Sequence, residues 1–282
     1  MQLGSVTLTT ISGGRFRLDG GSMFGVVPKP LWSKVHPPDE NNTIPHGTNC
    51  VLVRDGRRNI LIDTGYGSKL SSRQREVFAG EAGDPLLASL AAHGLLAEQI
   101  DAVILSHLHF DHAGGSTRYD ENGALVPTFP RATYIAQKLE WEIATAELPE
   151  LRGAYPLENL LPLRAAGQLQ LVDGDVELVP GIRAIITGGH TAGHMAVVIE
   201  SEDDTALFLA DVCPTWRHLR TLWCMAYDVN LLQTRRIKSK LLGQIADNNW
   251  LALCDHDADH AAARIARDDR QDFVVTESIV AL

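Results

Sequence analysis

Four side chains that commonly bind metals lie within six consecutive positions, and no other feature constrains the fold of this chain as strongly. They belong to the segment His107-Leu108-His109-Phe110-Asp111-His112, which follows the apolar run 102–105 after the single residue Ser106. Such a run is typical of a short strand in a sheet that is covered on both faces. Because alternate residues of an extended chain face the same side, His107 and His109 can point at one metal ion. If the chain turns into a helix at Asp111, then Asp111 and His112 swing toward a second position.

Three imidazoles and one carboxylate are a donor set that a borderline metal such as zinc accepts. The small residues Ala113, Gly114 and Gly115 allow the backbone to pass close to such a site. The alternative is a structural cluster of hydrogen-bonded histidines on a loop. That arrangement is disfavoured, because burying so many polar groups together without a cation or solvent is costly.

Further ligands are expected at the ends of other strands, since one motif supplies only part of two coordination shells. Gly188-Gly189-His190-Thr191-Ala192-Gly193-His194 follows a predicted strand, and His190 is the natural third ligand of the first metal. We interpret His194 as a residue that supports the ligands or packs behind them, with direct ligation as the alternative.

Two more candidate ligands also follow apolar strands. Asp211 comes after Leu207-Phe208-Leu209-Ala210 and is a candidate bridge between two cations, although a turn or capping role is the simpler alternative. His256 follows the run 251–254 and can complete the second metal, with His260 and His218 as rivals. Asp63 ends another strand and is expected to accept a hydrogen bond from a metal-bound histidine.

The pattern of elements predicts an α/β fold with two sheets and outer helices. The periodicity of the apolar residues and the positions of turn residues predict strands at 6–11, 50–53, 59–63, 102–105, 132–135, 168–172, 176–179, 183–186, 195–200, 206–209, 251–254 and 272–275. The same features predict helices at 85–96, 138–146 and 234–245. No break in composition divides the chain, so we expect one domain over 1–282. The Gly- and Pro-rich stretch at about 20–45 is predicted to be a loop or lid with an apolar face.

The charge balance argues against a nucleic-acid partner. The chain carries 35 acidic and 25 basic residues, for a net charge of -10, and shows no basic stripe. We expect a cytoplasmic protein, because the 4 cysteines form no CxxC pair and the N-terminal residues lack the pattern of a signal peptide. No apolar run approaches the roughly 18 residues of a membrane span, so no membrane partner is expected.

These motifs, in this order, resemble the metallo-β-lactamase superfamily from Asp63 to His256. The resemblance implies an αββα sandwich of two mixed β-sheets with outer helices and a site at one edge. It implies two divalent metal ions, with zinc expected and manganese, iron or cobalt as alternatives. The first ion takes His107, His109 and His190, the second takes Asp111, His112 and His256, and Asp211 bridges the two.

Within that superfamily the chain looks most like the N-acyl-homoserine lactone lactonases. The segments 106–115 and 189–194 resemble their motifs, and segments 18–28 and 214–216 resemble a quorum-quenching subgroup. One departure is Pro214, because many such lactonases have a tyrosine at this position that contacts the substrate carbonyl. Similar departures occur in methyl parathion hydrolase-like and pyridoxolactonase-like relatives. Thr215, His218 or Tyr227 could replace the tyrosine, and the sequence does not select among them.

The implied reaction is attack of a metal-bridging hydroxide on the ester carbonyl of a small lactone or ester substrate, with Asp111 carrying a proton to the leaving alkoxide. The apolar residues Met23, Phe24 and Trp32 could line a groove for an acyl chain, and core or subunit packing is an equal alternative. Trp216, Leu219 and Trp223 would form a second wall. A homodimer through the stretch at about 20–45 is a further expectation.

Four rival functions are consistent with parts of this pattern. A phosphotriesterase would use the same metals on a different substrate. A thioesterase or glyoxalase II-like hydrolase is disfavoured by the many aspartates in 247–272, and a nuclease is disfavoured by charge. A metal-binding or sensing protein without turnover is also disfavoured, because every expected ligand is present.

Overall fold

The computed structural model describes residues 1–151 and 153–282. The strands are β1 (Gln2–Leu3), β2 (Val6–Asp19), β3 (Thr43–Arg54), β4 (Asn59–Ile62), β5 (Ala102–Ile104), β6 (Thr117–Tyr119), β7 (Leu125–Pro127), β8 (Thr133–Gln137), β9 (Leu169–Val172), β10 (Glu177–Val179), β11 (Ile182–Ile186), β12 (Met195–Ser201), β13 (Asp204–Phe208), β14 (Leu251–Leu253), β15 (Ala262–Asp268) and β16 (Asp272–Ile279). The α-helices are α1 (Gly20–Phe24), α2 (Lys29–Trp32), α3 (Ser72–Phe78), α4 (Pro85–Ala92), α5 (Phe110–Ala113), α6 (Lys138–Ala144), α7 (Leu161–Ala165) and α8 (Leu231–Asn248). Short 3-10 turns lie at Ala97–Gln99, Gly114–Ser116, Pro149–Leu151, Leu157–Asn159, Ala210–Val212 and Trp216–His218.

Two large mixed sheets and one small hairpin account for these strands. The first sheet has the order β1-β2-β3-β4-β5-β8-β9, and the second has the order β10-β11-β12-β13-β14-β15-β16. β6 pairs with β7 in the hairpin. The turn between β3 and β4 contains Asp55 and Gly56, as predicted, and the strands pair from Arg54 opposite Asn59.

The two large sheets pack face to face, and helices cover their outer faces. Alternation along β3 illustrates this: Val51 and Val53 join a core cluster that also contains β12 residues of the second sheet, whereas Leu52 joins a cluster with α4. A third cluster packs α8 on the outer face of the second sheet, through Leu241 and residues of β12 to β15. These three layers of apolar contact confirm the predicted αββα sandwich.

The topology brings five loops to one edge of the sandwich. In the first sheet β4 and β5 run parallel, so the residues after each strand meet at the same end. In the second sheet β13 and β14 run parallel, and β11 shares their direction because two antiparallel pairings separate it from β13. Every candidate ligand lies in the connection, whether loop, short helix or 3-10 turn, that follows one of these five strands.

The stretch at about 20–45 differs from the predicted loop. It contains α1 and α2, and β3 begins at Thr43. Asp19 caps α1 by accepting a hydrogen bond from the backbone N–H of Ser22, at 2.8 Å. The apolar face of this segment is largely interior, since Phe24 and Trp32 stack with ring centroids 5.2 Å apart and join a buried cluster with Ile44.

Several elements were not predicted, and α3 and β15 illustrate why. α3 begins with a capping box in which the Ser71 side chain and Gln74 satisfy each other's backbone N–H groups. β15 has the alanine-rich sequence AARIARD, which favours a helix, but its pairing with β14 and β16 outweighs that local preference. In the described ranges no helix is both long enough and apolar enough to cross a membrane. All four cysteines are buried free thiols.

Candidate metal centre

The first group of candidate ligands joins three loops around one point. His107, His109, His190 and Asp211 each offer one atom, and these atoms all lie within 4.8 Å of one another. His109 Nδ1 is 3.1 Å from His107 Nε2 and 3.0 Å from His190 Nε2. Asp211 Oδ2 is 2.9 Å from His190 Nε2 and 3.8 Å from His107 Nε2. The structure thus brings together the four side chains expected at the first metal.

The second group shares Asp211 with the first. Its members are His112, Asp211, Asp255 and His256, again with ligand atoms within 4.8 Å of one another. His256 Nε2 is 3.2 Å from His112 Nε2 and 3.2 Å from Asp211 Oδ1. The two oxygens of Asp211 therefore face different groups, which is the geometry of a bridging carboxylate. Asp255 belongs to this group although the sequence analysis did not select it.

Asp111 lies beside the second group and also faces the cavity described below. Its Oδ2 is 3.6 Å from His256 Nε2, and the residue is 8% exposed. It sits in the first turn of α5, one position before His112, where the helix begins after the extended His109. The predicted turn at Asp111 is therefore present, and it separates the directions of His109 and His112.

Each of four histidines has its outer ring nitrogen held by an oxygen. His112 Nδ1 is 2.9 Å from Asp63 Oδ2, His190 Nδ1 is 3.0 Å from Asp228 Oδ1, His256 Nδ1 is 2.8 Å from the Gly47 carbonyl, and His107 Nδ1 is 3.2 Å from Ser106 Oγ. Because a carboxylate or carbonyl can only accept, the outer nitrogen carries the proton in the first three. The inner nitrogen then presents a lone pair to the group.

These donor atoms fit a pair of metal ions. Imidazoles and carboxylates that face one another at 2.9–3.8 Å need a proton or a metal ion between them, and ring nitrogens of three further contacts face one another at 3.0–3.2 Å, where several lone pairs converge. Tetrahedral bonds of about 2.0–2.1 Å place ligand atoms about 3.3 Å apart, close to the separations found here. In addition, Asp211 Oδ1 and Asp255 Oδ2 are buried without a hydrogen-bond partner. Cations would satisfy both oxygens.

The pKa values of this region follow from burial and dense charge. Burial lowers the pKa of His107 and His109 well below the usual range. Burial opposes the charged form of His190 as well, but Asp211 and Asp228 outweigh it and raise its pKa to about 9. For Asp211, burial is overcome by the surrounding imidazoles, led by His190, so its pKa falls well below the usual range. The Asp211 carboxylate is thus held in its ionised form.

Asp63 and His194 lie behind the ligands, as the sequence predicted. Asp63 adopts a positive φ of 58° and accepts hydrogen bonds from Ser106 N at 2.7 Å and Ser106 Oγ at 2.7 Å, besides its contact with His112. His194 Nε2 accepts from the backbone N–H of Asp211 at 3.2 Å, and its Nδ1 is 2.6 Å from Thr187 Oγ1. Both nitrogens of His194 are therefore engaged, and it orients the backbone of Asp211.

The rivals of His256 lie elsewhere. His260 has its Nδ1 3.9 Å from Asp257 Oδ1, and its side chain is 36% exposed. His218 is fully buried, with Nδ1 2.8 Å from Thr215 Oγ1 and Nε2 2.9 Å from the Met23 carbonyl. Neither histidine belongs to the two groups found among the described residues.

A buried carboxylate that the sequence analysis missed connects the two histidine loops. Glu140 on α6 is 1% exposed. Its Oε1 accepts from Leu108 N at 3.1 Å and Tyr155 OH at 3.1 Å, and its Oε2 accepts from Thr191 Oγ1 at 2.6 Å and Gly193 N at 3.2 Å. Burial raises the pKa of Glu140, and these donors counteract part of that rise. Glu140 therefore ties the loop that carries His107 and His109 to the loop that carries His190.

An apolar cavity of about 240 Å³ opens above the ligands. Its polar floor is formed by His109, Asp111, His190, Asp211 and His256, and its walls by Leu18, Met23, Phe78, Phe110, Gly153, Ala154, Met225 and Tyr227. A neighbouring cavity of about 420 Å³ shares His109, Ala154 and Tyr227 with it. Such a mostly apolar space with a few convergent polar groups is typical of a small-molecule site.

Most of the residues expected to contact substrate lie away from this cavity. Of the seven candidates, only Met23 and Tyr227 are among the described residues that line it. Phe24 stacks between Trp32 and His218, with its ring centroid 4.6 Å from that of His218, so all three are packed in the interior. Their apolar and aromatic character reflects core packing rather than a substrate groove.

Thr215 and Trp216 are also incorrectly predicted as substrate contacts. Thr215 is fully buried and caps the turn Trp216–His218 by accepting from Arg217 N. Trp216 donates from its indole nitrogen to the His260 carbonyl at 2.8 Å. Together with Leu219 and Trp223 it lines a separate surface groove, so the expected second wall does not face the metal centre. Tyr227 is the one candidate replacement for the lactonase tyrosine that reaches the cavity.

Comparison with known proteins agrees with this geometry. Residues 43–271 match the family described as the metallo-beta-lactamase superfamily. An N-acyl homoserine lactonase from Bacillus cereus is 31% identical over 171 residues, which cover 57% of this chain and 61% of that protein. The match thus spans about three fifths of the relative's length.

Solved structures are similar over nearly the whole chain. A protein from Staphylococcus aureus described as a probable metal-dependent hydrolase superposes with a TM-score of 0.89 at 33% identity, covering 99% of this chain and 100% of that chain. AidC, described as a dizinc quorum-quenching lactonase in complex with a product, superposes with a TM-score of 0.81 at 22% identity, covering 99% of this chain and 96% of its own. At that identity the second similarity concerns the fold alone.

Proposed function

Because this chain belongs to the metallo-β-lactamase superfamily, we propose that it is a dinuclear metal-dependent hydrolase that opens the lactone ring of N-acyl-homoserine lactones. One observation carries the proposal: two ligand groups that share Asp211 form the floor of an apolar cavity. The curated relative named N-acyl homoserine lactonase supports the choice of substrate class. The ligands we propose are His107, His109 and His190 for one ion, His112 and His256 for the other, and Asp211 for both, with Asp111 beside the second.

Two divalent ions supply, when bound, a water that is acidic enough to act as a nucleophile near neutral pH. The residues of the chain orient and neutralise the reacting groups. Besides Asp211, which the two ligand groups share, Asp111 is a carboxylate that both faces the cavity and approaches a ligand, at 3.6 Å from His256 Nε2. We assign to Asp111 the transfer of a proton from the attacking group to the leaving alkoxide of the opened ring.

The cavity walls suit an acyl chain. Leu18, Met23 and Met225 provide flexible aliphatic surface, and Phe78 stacks on Phe110 with ring centroids 5.3 Å apart. Burying methylene groups against such surface contributes about 0.8 kcal/mol each. The lactone ring would then lie on the polar floor, because it carries the carbonyl that must be attacked.

Tyr227 is the residue we assign to the substrate carbonyl or amide. It lines both cavities and is 43% exposed, so its phenol can reach a ligand without a change in the core. Tyr227→Phe is expected to lower kcat/KM for the lactone by about tenfold, since one hydrogen bond that forms in the transition state is worth about 1.4 kcal/mol in this case. Tyr119→Phe, at an exposed position, is the matched control.

The test is a substrate panel on the metal-loaded protein. Ring opening of N-acyl-homoserine lactones with acyl chains of increasing length is followed by proton release, beside an unacylated lactone, an acyl thioester and an aryl phosphotriester. The proposal expects the acylated lactones to have the highest kcat/KM and Asp111→Asn to lower it strongly. A phosphotriester rate equal to or above the lactone rate would instead favour the phosphotriesterase alternative.

We also propose the metal at the first position, the cellular location and the oligomeric state of the protein. Zinc is the metal we propose for the first position, because three imidazoles and a carboxylate suit it. A cytoplasmic location is consistent with four free thiols. A homodimer through residues 20–45 is consistent with the exposed side chains Val26, Leu31 and Val35, and equilibrium sedimentation tests it.

A further inference from the structure

Asp255 is a buried carboxylate for which neither the fold nor the protein surface provides a role. It follows β14 directly, is 1% exposed, and its Oδ2 has no hydrogen-bond partner. That oxygen lies 3.3 Å from His256 Nε2 and 3.3 Å from His112 Nδ1. An ionised oxygen in such a place is costly unless it is paired with positive charge.

The neighbouring proton donors are already committed. His112 Nδ1 is closer to Asp63 Oδ2, at 2.9 Å, than to Asp255. His256 donates from Nδ1 to the Gly47 carbonyl at 2.8 Å, so its Nε2 presents a lone pair toward Asp255 Oδ2. A lone pair and a carboxylate oxygen at that distance need a proton or a metal ion between them, and His112 and Asp211 direct further donor atoms to the same point, which only a metal ion can serve together. Asp255 therefore points to a metal ion rather than to a hydrogen-bond donor of the protein.

The second position is consequently richer in oxygen than the first. Three carboxylate oxygens lie near His256 Nε2, from Asp211 at 3.2 Å, Asp255 at 3.3 Å and Asp111 at 3.6 Å. The first position combines three imidazoles with a single carboxylate. Imidazole-rich sites suit zinc, whereas carboxylates suit harder ions such as manganese.

We propose that Asp255 is an additional ligand of the second metal ion and that it makes this position the harder of the two. The inference rests on the proposed dinuclear centre but not on the choice of substrate. It implies that the chain discriminates less strongly between zinc and manganese at the second position than at the first, and that Asp255 is the cause.

The experiment measures metal binding without substrate. Metal-free protein is titrated by calorimetry with Zn²⁺ alone and with Mn²⁺ alone, for the natural chain, Asp255→Asn and Asp255→Ala. Both variants are expected to bind the second equivalent of Mn²⁺ at least tenfold more weakly, and the zinc-over-manganese affinity ratio at that position should rise at least tenfold. Asp259→Asn, an exposed aspartate in the same loop, should match the natural chain.

Two further readouts separate ligation from a structural role. Co²⁺-loaded Asp255→Asn should have a changed visible absorption spectrum, because the ion loses or exchanges an oxygen ligand. Metal-free Asp255→Asn should unfold at the same urea concentration as the natural chain or a higher one, because an unpaired charge is removed. Unchanged manganese affinity together with an unchanged cobalt spectrum would overturn the proposal. Absence of lactone turnover with the expected metal binding would refute only the proposed function.

Discussion

Replacing Glu140 by glutamine tests how the two histidine loops are held together. The four donors on this carboxylate come from Leu108 N, Gly193 N, Thr191 Oγ1 and Tyr155 OH. An amide has one accepting oxygen, so whichever way it turns, either Leu108 N or Gly193 N faces an NH₂ group. The hydroxyls can rotate to accept from that group, but a backbone N–H cannot.

The expected loss in the free energy of unfolding follows from the one acceptor that the amide lacks. One buried backbone N–H without an acceptor costs about 1–3 kcal/mol, and the remaining bonds lose the strength that the charge provides, which adds about 1 kcal/mol. We therefore expect Glu140→Gln to lower the free energy of unfolding of the metal-free protein by about 2–4 kcal/mol. Affinity for the first metal should also fall, because Leu108 lies between His107 and His109.

Urea unfolding monitored by circular dichroism measures the first effect, and calorimetric zinc titration measures the second. Glu142→Gln is the matched control, because Glu142 lies on the same helix with its side chain 57% exposed in a pair with Lys138. That control should change stability by less than about 0.5 kcal/mol. Unfolding of Glu140→Gln and Glu142→Gln at the same urea concentration would contradict the assigned role of Glu140.

Three other perturbations probe the surroundings of the centre. Burial, reinforced by Lys238, lowers the pKa of His218 to about 3. Below pH 6.5 this imidazole therefore becomes protonated in the unfolded chain while it stays neutral in the folded chain. The stability advantage of the natural chain over His218→Gln should thus shrink by up to about 1.4 kcal/mol per pH unit between pH 6 and 4, and a constant gap in urea unfolding would contradict this. Asp228→Asn should lower the affinity for the first zinc ion by about 10- to 100-fold in a titration, because Asp228 holds His190. The control Asp203→Asn should leave that affinity unchanged. Gly193→Ala should lower the melting temperature, because a Cβ there would overlap the backbone of Glu140, whereas Gly153→Ala has open space around it.

The sequence predicted well which histidines and aspartates converge in the fold, and physical reasons explain why. In the segment His107–His112, the spacing of the histidines and the aspartate matches an extended chain followed by a helical turn, so the direction of each side chain can be predicted. His190, Asp211 and His256 each follow an apolar run, and residues that follow such strands meet at one sheet edge. Those features are local, so they can be read without knowledge of the fold.

The residues that were missed depend on contacts between distant segments. Asp228 lies 38 positions from its partner His190, in a loop without a recognisable motif. Glu140 looks like a surface residue between Leu139 and Trp141, and only its spacing of four from the buried Ala144 indicated an interior position.

The substrate-facing residues were predicted less well for a related reason. The apolar character of Phe24 and Trp32 was consistent with either a groove or a core, and the sequence alone could not distinguish them. In the fold these rings stack on one another, with Phe24 and His218 inclined by only 9°. Composition identifies apolar surface, whereas the tertiary structure decides what covers it.

The number and location of metal ions in the purified protein test the central claim most directly. Elemental analysis combined with anomalous X-ray diffraction would count the ions and place each one. We expect two ions per chain, one within the group His107, His109, His190 and the other beside His112 and His256, with one oxygen of Asp211 facing each. Fewer than two ions after metal reconstitution, or ions bound elsewhere, would contradict it.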